Sequence, residues 1–179
     1  MSEAIKRPYA LMHEMASSLI DRLRPACQRI EVAGSIRRQK SEIGDIEIVA
    51  IAKPITDLFG EPTERTEVDT LLSTWPISIK KNGQKYKQFS FFGKSGDPYT
   101  VDLFLPSAET WAVVYMIRTG SADFSRRMVT RQEKGGLMPN DLSVADGRAW
   151  RNGVAIATPE ERDVFTEWGM DFIEPKDRK

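Results

Sequence analysis

The chain has 179 residues, 40% apolar and 29% charged, and its 26 Lys and Arg balance its 26 Asp and Glu. That length suits one compact domain, or one domain with a small appendage, and it can bury a substantial core without staples. Zero net charge excludes a protein that grips nucleic acid over its whole surface, so any such grip comes from local patches. In chain order, Leu11, Met12, Met15, Leu19, Ile20 and Leu23 recur at helical spacing, which predicts an amphipathic helix over 8–24, stopped by Pro25. A short strand over 30–32 ends at Gly34, and a stronger one, rich in Ile and Val, covers 45–51. A helix with an acidic first turn is expected over 63–73. Strands over 77–81 and 85–92 flank Asn82-Gly83, a hairpin signal. Residues 99–105 form another strand, ended by Pro106. Helices follow over 107–118, with Ser107 as cap, and over 122–134, broken apart by Thr119-Gly120-Ser121. Short strands around 142–144, 148–150 and 154–156 precede a helix over 158–168, with Thr158 as cap and Pro159 at its first position.

The composition shifts near Thr119, which predicts two lobes, 1–118 and 119–179. One cysteine, Cys27, makes no internal disulfide, and one histidine, His13, rules out a two-histidine metal site. No apolar run approaches the roughly 20 residues of a membrane helix. No signal peptide is visible, so a reducing, cytoplasmic setting is the simplest expectation, with a monomer as the default. Trp75, Trp111 and Trp168 are expected in the core and His13 at the surface. Charge is uneven. Residues 76–96 carry Lys80, Lys81, Lys85, Lys87 and Lys94 and no acid. Residues 118–151 carry Arg118, Arg126, Arg127, Arg131, Lys134, Arg148 and Arg151, whereas 57–69 carry Asp57, Glu61, Glu64, Glu67 and Asp69. Each run alone reads as a solvated face; two basic stretches flanking a carboxylate site favour phosphate binding.

The informative stretch is Val32-Ala33-Gly34-Ser35-Ile36-Arg37-Arg38, continuing to Gly44-Asp45-Ile46-Glu47-Ile48. A Gly after a strand lets backbone N–H groups approach a ligand, Ser35 adds a hydroxyl, and Arg37 and Arg38 add forked cations suited to phosphate. Asp45 and Glu47 are two apart in a strand, so both carboxylates project from one face. Asp102, an acid inside the apolar run Val101-Asp102-Leu103, completes a three-carboxylate set if its strand lies beside the 45–51 strand. Oxygen-only ligands select hard ions such as magnesium. Such a set can hold two ions about 4 Å apart, the arrangement for in-line phosphoryl or nucleotidyl displacement.

In these residues the chain resembles family X DNA polymerases, within the DNA polymerase beta-like nucleotidyltransferases. The resemblance rests on Gly34-Ser35, the eleven-residue step to Asp45, the Asp-x-Glu pair, the later Asp102, Thr119-Gly120-Ser121, Phe124 and Met128, and the tail to Glu174-Pro175-Lys176-Asp177-Arg178. It implies an α+β fold: a nucleotidyltransferase palm, a mixed sheet flanked by helices, followed by a small α+β thumb. It implies no lyase or helical DNA-binding domain. By the same resemblance Asp45, Glu47 and Asp102 would be catalytic and bind two magnesium ions, with manganese as a substitute. Ser35 and Arg38 would hold the triphosphate, with Gly34 and Gly44 shaping the loop. Gly120 and Ser121 would meet the nucleotide sugar, where family members often have a cis peptide. Ser125, Arg126 and Val129 would face the base pair and template. Arg37, Lys85, Lys87, Arg126 and Arg127 are the expected DNA contacts, with Arg37 also suited to brace the fold. The expected partners are gapped primer–template DNA and dNTP, with rNTP left open.

Three features depart from the family pattern. Glu47 stands where the polymerases have Asp. Ile117-Arg118 stand where an aromatic pair polices the sugar, which gives Arg118 a possible sugar or phosphate contact. Thr100 stands where an Arg often precedes the third Asp by two. The implied function is metal-dependent addition of nucleotides to a primer 3′-hydroxyl on gapped or nicked DNA, releasing pyrophosphate. Two alternatives stand beside it: transfer to another acceptor (RNA, a small molecule or a protein), or a non-catalytic nucleotide- or nucleic-acid-binding module.

Overall fold

The computed structural model describes residues 5–93 and 96–179, so Lys94 of the basic run lies outside the described residues. The chain divides into two compact units. The first takes the chain as far as Val32, and then Lys40–Leu105. The second takes Ala33–Gln39 and Pro106–Lys179. By compactness the seam therefore falls at Leu105/Pro106 rather than at Arg118/Thr119. The cause is the helix that ends at Thr119, which packs on later helices of the second unit.

In the first unit, β1 (Arg7–Pro8) leads into α1 (Tyr9–Leu23). Met12, Ala16, Leu19 and Leu23 of α1 are buried, at the spacing of a single helical face. Pro25 sits in a 3-10 turn, Arg24–Ala26, that ends the helix. β2 (Cys27–Val32) follows, longer than expected. The chain then forms α2 (Gly34–Arg37) in the other unit and returns through β3 (Glu42–Ile43), which pairs with β1. β4 (Ile46–Ala52) comes next.

The expected helix over 63–73 is corrected. Pro62–Thr66 is a strand, β6, paired with β5 (Pro54–Thr56), and only Glu67–Leu72 is helical, as α3. The helix cannot begin earlier because Thr66 is its cap: the Asp69 carboxylate accepts both the Thr66 N–H and the Thr66 hydroxyl at 2.8 Å. β7 (Ser78–Asn82) and β8 (Tyr86–Phe92) form the expected hairpin, and β9 (Pro98–Phe104) completes a five-stranded sheet in the order β2-β4-β9-β8-β7. The β4–β9 pair is parallel and the other three are antiparallel, so the sheet is mixed. Ile46, Ile48, Val101 and Leu103 are fully buried at its centre. Trp75 is only half-buried, its ring covered by the Arg22 guanidinium at 4.1 Å, so it is not the core residue expected. His13 is exposed as expected.

The second unit contains α4 (Trp111–Thr119), α5 (Ala122–Met128), a three-stranded antiparallel sheet of β10 (Leu142–Ala145), β11 (Arg148–Arg151) and β12 (Val154–Ala155), and α6 (Glu161–Glu167). Trp111, Met116, Met128, Val164 and Trp168 form its core, and the Trp168 indole N–H donates to the Met128 carbonyl at 2.7 Å. Three expected helices are shorter than their sequence pattern. α5 ends at Met128 because the chain doubles back: Leu137 N–H reaches the Arg127 carbonyl and Met138 N–H the Thr130 carbonyl. Gly136 makes that reversal possible, since a Cβ there would lie 1.8 Å from the Thr130 carbonyl oxygen. α6 begins at Glu161 rather than at Thr158-Pro159, because Asp163 accepts the Glu160 N–H at 2.8 Å and closes a box one turn later. α4 likewise begins after Thr110, not after Ser107. Overall this is an α+β fold with a mixed sheet and flanking helices. No helix among the described residues is long and apolar enough to cross a membrane.

Candidate active-site residues

The carboxylates belong to the first unit, and their placement follows from strand periodicity. Along 45–48 the side chains alternate half-buried, buried, half-buried, buried, so Ile46 and Ile48 face the core while Asp45 and Glu47 lie on the opposite face. Asp45 itself stands just before β4 rather than inside it. β9 repeats the alternation, with Val101 and Leu103 buried and Asp102 half-buried. Parallel pairing of β4 and β9 sets Glu47 opposite Asp102. In-register residues of neighbouring strands point to the same face, so the expected strand adjacency is present. Among the described residues, no three His, Cys, Asp or Glu side chains are gathered closely enough to hold a metal as they stand. Asp45, Glu47 and Asp102 offer only carboxylate oxygen, the ligand type that hard divalent cations take, and Glu47 and Asp102 are in register.

Asp102 has neighbours that the sequence did not suggest. Its Oδ1 accepts a hydrogen bond from the Gln88 amide at 2.8 Å and a second from the Tyr86 hydroxyl. Both donors come from β8, where Gln88 is the register partner of Asp102. Only knowledge of the β8–β9 register could have found them.

The Gly-Ser-x-Arg-Arg segment belongs to the second unit. Gly34 opens α2 with φ +58°, a conformation glycine adopts without strain. Arg37 forks onto Glu161, with Nη1–Oε1 at 2.9 Å and Nη2–Oε2 at 2.7 Å, and donates to the Thr119 hydroxyl at 2.5 Å. Its guanidinium also lies 3.9 Å over the Tyr115 ring. Arg178 reaches the same carboxylate at 2.7 Å and is itself enclosed by Phe124, Phe165 and Phe172. Burial alone would raise the Glu161 pKa, but the hydrogen bonds and charge of Arg37 and Arg178 outweigh it and hold the carboxyl below its ordinary range. Arg38 donates to the Thr119 carbonyl. Gly120, at φ +70°, accommodates it: a Cβ there would lie 2.7 Å from the Arg38 Nη1. The Gly120–Ser121 peptide is cis, and the Ser121 hydroxyl caps α5 by accepting the Phe124 N–H at 3.3 Å.

Several expected contact residues are committed to the fold instead. Arg37, placed among the DNA contacts, is a brace within the second unit. Lys87 is not presented to a phosphate: its side chain is 4% exposed, and its ammonium donates to Asp69 at 2.5 Å, Asn82 at 2.7 Å and the Gly83 carbonyl at 3.3 Å. Those acceptors use all three of its donors. Ser125 is buried, and its hydroxyl donates to the Ile117 carbonyl at 2.7 Å. Tyr115 is buried, with the Arg37 guanidinium over its ring. Lys85, Arg118 and Arg127 are exposed, Gly44 is half-buried, and Arg126 is exposed in an ion pair with Asp123.

Residues 114–179 match the DNA polymerase beta thumb family, so the carboxy-terminal part of the second unit is a family X DNA polymerase-like thumb. Over 158 residues the chain is also 25% identical to DNA polymerase lambda of Rattus norvegicus, a similarity covering 81% of this chain and 28% of that protein. The chain thus spans little more than a quarter of that relative's length. The mixed sheet and this thumb are consistent with a family X-like nucleotidyltransferase architecture.

Proposed function

We propose that the protein is a divalent-metal-dependent DNA nucleotidyltransferase that extends a primer 3′-hydroxyl across short gaps. The observation that carries the reading is the register of Glu47 against Asp102, with Asp45 two residues before Glu47, in a chain that ends in a polymerase-type thumb. Asp45, Glu47 and Asp102 would hold the metal. When bound, magnesium or manganese would offset charge on the phosphoryl oxygens and favour the deprotonated primer hydroxyl. The primer oxygen attacks the α-phosphorus of a dNTP, the bond to the β-phosphate oxygen breaks, and pyrophosphate leaves with that electron pair. The hydroxyl proton would pass to the Asp102 carboxylate, so no histidine base is required. Ser35 and Arg38 would bind triphosphate oxygens, with Gly34 and Gly44 shaping the approach, and Gly120, Ser121 and Arg118 would meet the nucleotide. Lys85, Arg126 and Arg127 remain as exposed cations for DNA phosphates.

The test is incubation with magnesium, a primer on a gapped template, and each dNTP and rNTP singly. Template-directed extension, lost in Asp102→Asn with the fold retained, is the expected result. No extension by a folded protein that binds nucleotide and metal would overturn the polymerase reading. A second reading, transfer to a different acceptor, is favoured by Glu47 and by Ile117-Arg118 in place of an aromatic pair. Nucleotide transfer to RNA, protein or a small molecule, without primer extension, is the outcome that would select it.

A further inference from the structure

We infer that Tyr86 and Gln88 are positioning residues that orient the Asp102 carboxylate toward a divalent cation. The inference rests on the nucleotidyltransferase reading and deepens it by assigning two residues to the same site.

Both donors end on one oxygen, Oδ1 of Asp102. Two hydrogen bonds to one oxygen fix the carboxylate plane, and the second oxygen receives neither. Both donors are neutral. A cation on Asp102 would oppose a metal ion electrostatically; an amide and a phenol orient the carboxylate without cancelling its charge. The position two before Asp102 is Thr100, so no cation comes from the place where the resembling polymerases often carry an Arg. The two β8 side chains supply orientation in its stead.

The donors are themselves held. The Tyr86 ring stacks on Phe104 with centroids 5.0 Å apart and planes 21° apart, and the Lys81 ammonium lies 5.3 Å above it. Gln88 lies directly opposite Asp102 in the antiparallel ladder, so the reach of its amide is set by strand register. Lys87, between the two, points to the other face and anchors β8 there through Asp69 and Asn82. Groups that hydrogen-bond a ligating carboxylate from rigid elements commonly set metal affinity, and their removal costs about 10- to 100-fold.

The experiment compares wild type, Tyr86→Phe, Gln88→Leu and the double variant, with Asp102→Asn as reference. Manganese binding without nucleotide or DNA is read from the electron paramagnetic resonance signal of the free ion. Melting temperature is measured without metal. The expected result is that the Asp102-dependent affinity falls about tenfold in each single variant and further in the double. The metal-free melting temperature stays close to wild type. In primer extension, kcat falls while KM for the nucleotide changes less than about twofold, as for a residue acting on the metal rather than on nucleotide binding. Wild-type manganese affinity in all three variants would overturn the inference. So would a lowered melting temperature with unchanged affinity in the folded protein, or the absence of any Asp102-dependent binding in wild type. If wild type binds manganese through Asp102 but transfers no nucleotide, the polymerase reading fails while the manganese comparison still decides this inference.

Discussion

Glu161 shows how one carboxylate can be decisive without chemistry of its own. Its side chain is 6% exposed and lies among Arg37, at 17%, and Arg178, at 0%. Removing one partner from a buried ionic group leaves uncompensated charge, and Glu161→Ala would leave two cations. We expect a loss of roughly 3–5 kcal/mol, read as a lower midpoint in denaturant unfolding. The pH dependence has a definite sign. The folded-state pKa lies below the ordinary value of 4.5, so the folded protein binds fewer protons than the unfolded chain near that pH. The contribution is complete above the ordinary value and is lost as pH falls through the folded value. Thermal unfolding from pH 7 down to 3 should show a falling midpoint below about pH 5, with a shallower fall in Glu161→Gln. Cys27 behaves oppositely. Burial pushes its thiol up to about 11, with the nearby charges of Lys53 and Arg24 only partly opposing it. An alkylating reagent at pH 8 should modify it in unfolded protein at least about tenfold faster than in folded protein, as mass spectrometry over time would show.

At the scale of elements, α3 and β8 are joined by the Lys87–Asp69 pair, with side chains 4% and 18% exposed. Burial raises the Asp69 pKa and hydrogen bonds from Lys87 and Thr66 lower it more, so the pair is ionised in the fold. Asp69→Leu alone should cost roughly 3–5 kcal/mol, whereas Asp69→Leu with Lys87→Met should recover the part due to the unpaired ammonium but not the part due to the lost Thr66 hydrogen bonds. A double-mutant cycle in denaturant measures both. Elements with apolar periodicity were legible in the sequence: α1, β4, β9 and the β7–β8 hairpin appear within a few residues of where the pattern puts them. The β5–β6 hairpin was not legible, because its strands bury almost nothing and Pro62–Thr66 shows no alternation. Its turn is set by a single side chain: the Asp57 carboxylate accepts the Phe59 N–H at 2.8 Å and the Glu61 N–H at 3.0 Å. The carboxylate positions were legible because each alternates with a buried Ile, Val or Leu. The partners of Arg37, itself read as a possible brace, and of Lys87 were not, because charge alone does not reveal a partner 124 residues away, as Glu161 is from Arg37.

For the molecule as a whole, local patches must supply any affinity for DNA, since the net charge is zero. With Lys87 and Arg37 committed internally, Lys85, Arg126 and Arg127 are left of the five expected DNA contacts, so binding of gapped DNA should be weak. Each phosphate contact contributes a slope of about −0.9 to log affinity against log salt. A filter-binding series from low to moderate salt should therefore give a slope of magnitude about 3 or less, from Lys85, Arg126 and Arg127.

The chain passes between its two units three times, at 32/33, 39/40 and 105/106. Modularity is therefore a matter of two segments rather than one cut. A graft of residues 106–179 into another protein would carry Glu161 and Arg178 but leave behind the guanidinium they are built around, and Thr119 would lose both arginines that it holds. What can be exchanged as a unit is the seven-residue Ala33–Gln39 segment together with everything after Leu105. Recombination that respects only the order of residues along the chain would separate parts that the fold joins.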